Sequence, residues 1–277
     1  MKRIIILPLL IIGTLFMSIC CSGPSSRIAP EKNTEFITLL KNADFKAAES
    51  MLLALEEQYE GDPQLFMFRS YYYFFSSAGS DNRLDSALMV ISSGIEQYPD
   101  RLDMRSAKAD MLLAMNEPYK VSQELISALE YSVVNDNNWT FNFKITPVED
   151  NMLYLRAIIQ DFIPELMKFN DLRPVEDLIA ASLRLYPKDP MYMSNLGKLK
   201  EKKGDYAGAL EAQLAALELD PDNTLLMLHV SDAYLSLGDV VNATKYCAIV
   251  AQSDHETNSA IAKTALQMLM GSSESQE

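Results

Sequence analysis

Residues 190–223 read PMYMSNLGKLKEKKGDYAGALEAQLAALELDPDN, and this stretch decides the fold. Two amphipathic segments flank Gly204-Asp205, and Pro221 follows the second segment. The same features return 34 residues later, where Gly238-Asp239 repeats the Gly-Asp dipeptide and Ala243 repeats Ala209. A fixed period of this length is the signature of a repeat array in which each copy is one helix–turn–helix unit.

The period can be followed through most of the chain. We count six units, at roughly 29–62, 63–101, 102–135, 156–189, 190–223 and 224–257, followed by a capping helix over about 258–270. One such unit cannot bury its apolar face alone, so neighbouring units are expected to stack into a continuous core.

Three residue classes carry the expected geometry of each unit. Small residues sit where the two helices cross, as Gly197 with Ala209 and Ser231 with Ala243, so that the backbones can approach closely. Asparagine or glycine is expected to supply a left-handed turn between the helices of five units, at Asn82, Asn116, Asn170, Gly204 and Gly238. Proline cannot continue a helix and is expected to end three second helices, before Pro99, Pro187 and Pro221.

The pattern resembles the tetratricopeptide repeat (TPR). In the clearest copy the resemblance rests on Leu196-Gly197, Ala209, Ala216 and Pro221, while Met193 and Lys200 replace the two consensus aromatics. It implies an all-α, TPR-like right-handed α-solenoid of about six helix–turn–helix repeats plus a C-terminal capping helix. The motif is specific for a fold and says little about function.

The first residues resemble an export signal. Lys2 and Arg3 precede an uncharged apolar run from Ile4 to Ile19, which is shorter than the ~20 residues that span a membrane. An uncleaved anchor helix is the alternative. Because two cysteines follow directly, the segment resembles a bacterial lipoprotein signal, which implies lipidation of Cys21, or of Cys20.

The whole chain can be divided into segments by composition and repeat pattern. We predict a signal peptide over 1–20, a flexible tether over 21–32, a first block of three repeats over 33–135, an inserted loop over 136–150, a second block with the capping helix over 151–270, and a disordered tail over 271–277. The insert carries Trp139, the only tryptophan. Long loops are often functional, and the alternative is a connector pinned by its aromatic residues.

Composition excludes several function classes. The net charge of −14 argues against nucleic-acid binding, which needs a basic surface. His229 and His255 are the only histidines and have no metal-ligand spacing. Phosphate-binding glycine loops and nucleophile elbows are missing from the sequence. We therefore predict a protein that is not an enzyme, without catalytic residues, metal or cofactor.

The TPR resemblance implies that the first helix of each unit lines a concave face. Partner contacts are then expected from outward residues of these helices, namely Met67, Tyr71, Phe74, Phe75, Asp110, Lys198 and Asp232. Residues 71–75, YYYFF, are aromatic all round the helix, which is more than one buried face requires. The alternative is that adjacent helices bury these aromatic residues.

These resemblances together imply a lipid-anchored scaffold in a bacterial envelope. It would be attached to a membrane, with the outer membrane favoured, and would face the periplasm. Its concave face would hold an extended segment or a helix of a protein partner, as in TPR lipoproteins that assist outer-membrane protein assembly or pilus biogenesis. The alternative is a SusD-like glycan-capture lipoprotein, which would need a larger ligand-binding subdomain and could use Trp139 as a sugar platform.

Overall fold

The computed structural model describes residues 26–77, 81–135 and 151–273. The α-helices within these ranges are α1 (Pro30–Lys41), α2 (Phe45–Gln58), α3 (Gln64–Phe75), α4 (Asp81–Gln97), α5 (Leu102–Ala114), α6 (Pro118–Val134), α7 (Asn151–Leu166), α8 (Arg173–Leu185), α9 (Pro190–Lys202), α10 (Tyr206–Leu219), α11 (Thr224–Ser236), α12 (Val240–Ala251) and α13 (Glu256–Ser273). The predicted all-α, TPR-like class is confirmed, with helix pairs in the predicted order and one further helix after them.

The chain forms two compact units, and the first comprises Met1–Asp161. Its described part pairs α1 with α2, α3 with α4 and α5 with α6, and successive pairs pack through α2 on α3 and α4 on α5. Phe36, Phe68 and Ile91 are fully buried in the core. The rings of Phe36 and Phe68 meet edge to face with centroids 4.7 Å apart, a favourable aromatic geometry.

The second unit comprises Phe162–Glu277. In it α9 pairs with α10 and α11 with α12, while α10 packs on α11 and α12 on α13. The predicted close crossing is confirmed between Ser231 and Ala243, because the Ser231 hydroxyl donates to the Ala243 carbonyl at 3.0 Å. The two helices also approach closely at Gly197, but the residue nearest to it is Gln213 and not the predicted Ala209. A Cβ at this position would lie 2.6 Å from Nε2 of Gln213.

Tight turns join the two helices of four pairs. The predicted left-handed conformation is confirmed at Asn116 (φ 59°), Gly204 (φ 82°) and Gly238 (φ 78°). In the first pair Ala43 adopts it, with φ 57°. The next residue is an aspartate in three of these turns, and its carboxylate caps the second helix.

These caps are hydrogen bonds from backbone N–H groups in the first turn of the helix. Asp44 accepts from Ala47 at 3.1 Å, Asp205 from Gly208 at 2.9 Å and Asp239 from Asn242 at 3.0 Å. In each of these turns the left-handed residue reverses the chain, and the aspartate after it accepts from a free N–H group at the start of the next helix.

The prediction of a left-handed turn is wrong at two residues. Asn82 lies inside α4, and Asn170 has no positive φ in the connection between α7 and α8. That connection runs over 167–172, and a loop of this length can reverse direction without one left-handed residue. The predicted proline stops are confirmed, because α4, α8 and α10 each end two residues before Pro99, Pro187 and Pro221.

The ends of the described chain differ from the predicted boundaries. Within the predicted tether 21–32, Arg27 donates its backbone N–H to Asp62 at 2.6 Å, Ile28 is buried and α1 begins at Pro30. Arg27 also donates from Nη2 to the Glu60 carbonyl at 2.7 Å, so this segment is held against the connection between α2 and α3. Likewise α13 continues to Ser273, inside the predicted tail.

Several predictions fall on residues outside the described ranges. They are the signal segment 1–20, the lipidation sites Cys20 and Cys21, and the inserted loop 136–150 with Trp139. Among the helices of the described ranges, none is both long enough and apolar enough to cross a bilayer.

Candidate partner-binding surfaces

The aromatic stretch of α3 is largely interior. Met67 and Tyr71 are only 1% and 6% exposed, so the expectation that they form an outward surface is wrong. Phe74 and Phe75 are half-buried and pack against the same core, with ring centroids 5.5 Å apart. The cause is crowding around α3, which contacts α1, α2, α4 and α5. The alternative of burial by adjacent helices therefore holds for this stretch.

Asp110 on α5 is half-buried and lies close to the buried Tyr71. Burial raises the pKa of Asp110 to about 7, and the negative charge of Asp161 on α7 acts in the same direction. Burial likewise raises the pKa of Tyr71, with further contributions from Asp110, Asp103 and Tyr154. We call Tyr71, Asp103, Asp110, Tyr154 and Asp161 the acidic cluster. It is a region of the first unit where an ionised carboxylate is held at a cost.

One carboxylate of the acidic cluster is neutralised by a buried arginine. Arg101 is fully buried and donates from Nε and Nη2 to the two oxygens of Asp103, at 2.9 and 2.6 Å. Nη2 also donates to Oε1 of Gln64 at 2.7 Å. A planar guanidinium suits this bidentate geometry, which fixes the start of α5 against α3. Sequence reasoning missed this network because it placed Arg101 only at the boundary of two units.

In the second unit a row of polar side chains links α9 to α11. Lys198 is half-buried, and this burial lowers its pKa, although the negative charges of Asp232 and Glu201 act in the opposite direction. Glu201 also accepts a hydrogen bond from the hydroxyl of Ser236. Asp232 is the most exposed of the three, and partial desolvation of its carboxylate, together with the negative charge of Glu201, raises its pKa. The row brings the charges of Lys198 and Asp232, two of the predicted contact residues, close enough for each to affect the pKa of the other.

The same two helices, α9 and α11, carry a serine–histidine contact that resembles a catalytic nucleophile with its general base. The Ser194 hydroxyl bridges Oε1 of Gln213 at 2.7 Å and Nδ1 of His229 at 2.9 Å. Ser194 is 0% exposed, and burial together with Lys198 lowers the pKa of His229 to about 4. A substrate cannot reach this hydroxyl, so the contact is a structural link between the two first helices.

The described ranges contain no candidate metal-binding site. Within them, no group of three histidine, cysteine, aspartate or glutamate side chains could hold an ion. Cys247 is buried and close to the Ser231 hydroxyl, at 3.1 Å, as expected for a core residue.

Known proteins resemble this chain in its repeat. No family model matches it. A TPR repeat-containing protein of Pseudomonas aeruginosa is 21% identical over 202 residues, which cover 73% of this chain but only 30% of that protein. The match therefore spans less than a third of the relative.

Solved structures that align with this chain include TPR proteins. A tetratricopeptide repeat protein from Parabacteroides merdae aligns with a TM-score of 0.48 at 13% identity, covering 88% of this chain and 87% of that one. The TPR2AB domain of yeast Sti1, in complex with pHSP90, aligns with a TM-score of 0.33 at 12% identity, covering 86% and 95%. In sequence this chain is similar to the TPR repeat-containing protein of Pseudomonas aeruginosa, and its own helix pairs, turns and caps are TPR-like.

Proposed function

We propose that this protein is a lipid-anchored interaction scaffold of a bacterial envelope, which holds a partner protein on the first helices of its units. The observation that carries the proposal is the polar row on α9 and α11, where Lys198, Glu201 and Asp232 stand at the surface of firmly packed helices. A rigid row of charges can recognise a segment without first being ordered, which reduces the entropic cost of binding.

The partner is a protein, bound as an extended segment or as a helix. Both signs of charge are present in the polar row, so a segment with alternating charges or hydrogen-bonding groups would be complementary to it. The net charge of −14 disfavours nucleic acid. The buried hydroxyl of Ser194 supports binding rather than catalysis.

The N-terminal sequence supports the proposed location of the scaffold. An apolar run before Cys20 and Cys21 supports export and lipidation, with the folded chain on the periplasmic side and the outer membrane favoured. Two or three acyl chains on one cysteine would hold the protein firmly, since each buried methylene contributes ~0.8 kcal/mol. A role in outer-membrane or envelope complex assembly fits this placement. The glycan-capture alternative depends on Trp139, which lies outside the described residues.

Site-specific photo-cross-linking in intact cells tests this proposal. A photoreactive residue at Lys198 or Asp232 of the full chain should capture one discrete protein, whereas the same residue at Glu211, exposed on the second helix α10, should not. The variant with Cys20→Ser and Cys21→Ser should leave the membrane fraction. Equal capture from all three positions, or none from the first two, would contradict binding at the polar row.

A further inference from the structure

Three side chains from α9, α10 and α11 are joined by a continuous set of hydrogen bonds. The Ser194 hydroxyl contacts Oε1 of Gln213 at 2.7 Å and Nδ1 of His229 at 2.9 Å. Nε2 of Gln213 donates to the Ser194 carbonyl at 2.9 Å. Ser194 and Gln213 are buried, so the three groups have to satisfy one another.

The direction of each of these bonds can be assigned in turn. A backbone carbonyl only accepts, so Gln213 turns its NH₂ group toward the Ser194 carbonyl and its oxygen toward the Ser194 hydroxyl. That oxygen also only accepts, so the hydroxyl gives its one proton to Gln213. The contact between Ser194 and His229 then needs a proton from the ring, which places that proton on Nδ1.

The second ring nitrogen of His229 is left as a hydrogen-bond acceptor. The ring is neutral at physiological pH, because burial and the neighbouring charge of Lys198 lower its pKa to about 4. A neutral imidazole with its proton on Nδ1 carries a lone pair on Nε2. Within the described ranges Nε2 has no hydrogen-bond partner, and it is not among the side-chain atoms that are sealed from solvent without one.

His229 belongs to the same face of α11 as the exposed end of the polar row. Asp232 follows it by three residues and Leu225 precedes it by four, so the three side chains lie along one stripe of the helix. Leu225 and Asp232 are exposed, and the half-buried ring lies between them. A partner that contacts the polar row therefore also meets Nε2 of His229.

The surroundings of Nε2 select the group that it can bind. The positive charge of Lys198 disfavours a proton on His229, and it disfavours a lysine or arginine of a partner at Nε2 for the same reason. A carboxylate is also excluded, because it has no proton to donate to a lone pair. The complementary group is a neutral N–H donor, and a peptide backbone supplies one at every residue except proline.

This chemistry distinguishes the two forms of partner that the proposed function leaves open. Inside a helix the backbone N–H groups are bonded to carbonyls of the preceding turn, whereas an extended segment has N–H groups available to a neighbour. We propose that His229 is a specificity-determining residue of the polar row, whose Nε2 accepts a backbone N–H from an extended segment of the partner protein. This inference rests on the proposed function, because it requires a partner at the polar row.

The position of the ring proton can be measured without the partner. A long-range proton–nitrogen correlation spectrum of the isotopically labelled full-length chain at neutral pH should show His229 with a protonated Nδ1 and a bare Nε2. The signals that disappear in His229→Gln are those of His229. Ser194→Ala removes the acceptor of the Nδ1 proton and should shift the ring toward the other tautomer. A proton on Nε2 in the parent chain overturns the inference and leaves the proposed partner binding untouched.

Substitution then tests the bond to the partner. With a photoreactive residue at Asp232, His229→Leu should reduce capture of the partner about ten-fold, because the partner's N–H is left unpaired. His229→Gln can place an amide oxygen near the position of Nε2 and should retain capture. The matched control is His255→Leu, which removes an exposed histidine outside the polar row and should leave capture unchanged.

The outcomes separate this inference from the proposed function. Far-UV circular dichroism should show equal helicity in all variants. Undiminished capture with His229→Leu, equal loss with His229→Gln, or a cross-linked site inside a helix of the partner overturns the inference, although the polar row still binds. Absence of capture from the parent chain contradicts binding at the polar row, and this inference with it.

Discussion

At the scale of single residues, Ala43 adopts a left-handed backbone conformation, and at two equivalent turns glycine adopts it. Ala43 has φ 57°, whereas Gly204 and Gly238 have φ 82° and 78° at the equivalent turns. A β-carbon in this region approaches the following carbonyl and costs roughly 1 kcal/mol. The sequence signal for such a turn is glycine or asparagine, so alanine concealed it. The capping Asp44 directly after Ala43 was the signal that could have revealed the turn.

The strain at Ala43 predicts a stabilising substitution. Ala43→Gly should raise the free energy of unfolding by ~0.5–1 kcal/mol, because glycine adopts this φ without steric cost. Urea denaturation followed by circular dichroism measures the change. The control is Ala54→Gly, at an exposed position inside α2, which should lower stability by ~0.5–1 kcal/mol. A destabilising effect at Ala43 would mean that the turn is not strained.

At the scale of elements, α3 shows where periodicity stops being informative. The repeat period correctly predicted a first helix at this place, and its aromatic residues suggested an exposed face. Periodicity counts apolar positions on one helix, but burial depends on how many neighbours surround it. Since α3 contacts four other helices, Met67 and Tyr71 are core residues. Asp110, Lys198 and Asp232 are more exposed because their helix faces carry polar residues.

The burial of α3 predicts a large effect of truncating its core. Met67→Ala should lower the free energy of unfolding by ~2–4 kcal/mol, because it removes a side chain that is 1% exposed and leaves a cavity. Met89→Ala, where the methionine of α4 is 66% exposed, should change it by less than about 0.5 kcal/mol. Denaturant midpoints compare the two variants. Similar small effects for both would show that Met67 is accessible after all.

At the scale of the whole molecule, part of the excess negative charge lies in the partly buried acidic cluster of the first unit, where ionisation is costly. The chain has 38 acidic and 24 basic residues, so few cations are left to pair with carboxylates. Asp103 is paired with Arg101, whereas the charge of Asp161 reinforces the burial of Asp110. This arrangement could not be read from the sequence, because the residues of the acidic cluster come from three helices and only the fold brings them together.

The raised pKa of Asp110 in the acidic cluster predicts that the free energy of unfolding falls as pH rises. The pKa of Asp110 is raised to about 7 from an ordinary value near 4, so between these values the folded chain binds more protons than the unfolded chain. The contribution is fully favourable below pH ~4 and is lost as pH passes 7. Allowing for partial exposure of Asp110, the free energy of unfolding should drop by roughly 2 kcal/mol between pH 5 and pH 8.

Substitution separates this effect from the general repulsion of an acidic chain. Asp110→Asn keeps the size of the side chain but cannot ionise, so it should remove most of the drop and be more stable than the parent at pH 8. Asp85→Asn, at an exposed position on α4, removes the same charge outside the acidic cluster and should leave the drop in place. Urea titrations at the two pH values decide between them. If both variants flatten the dependence equally, net charge rather than the burial of Asp110 controls the stability of this protein.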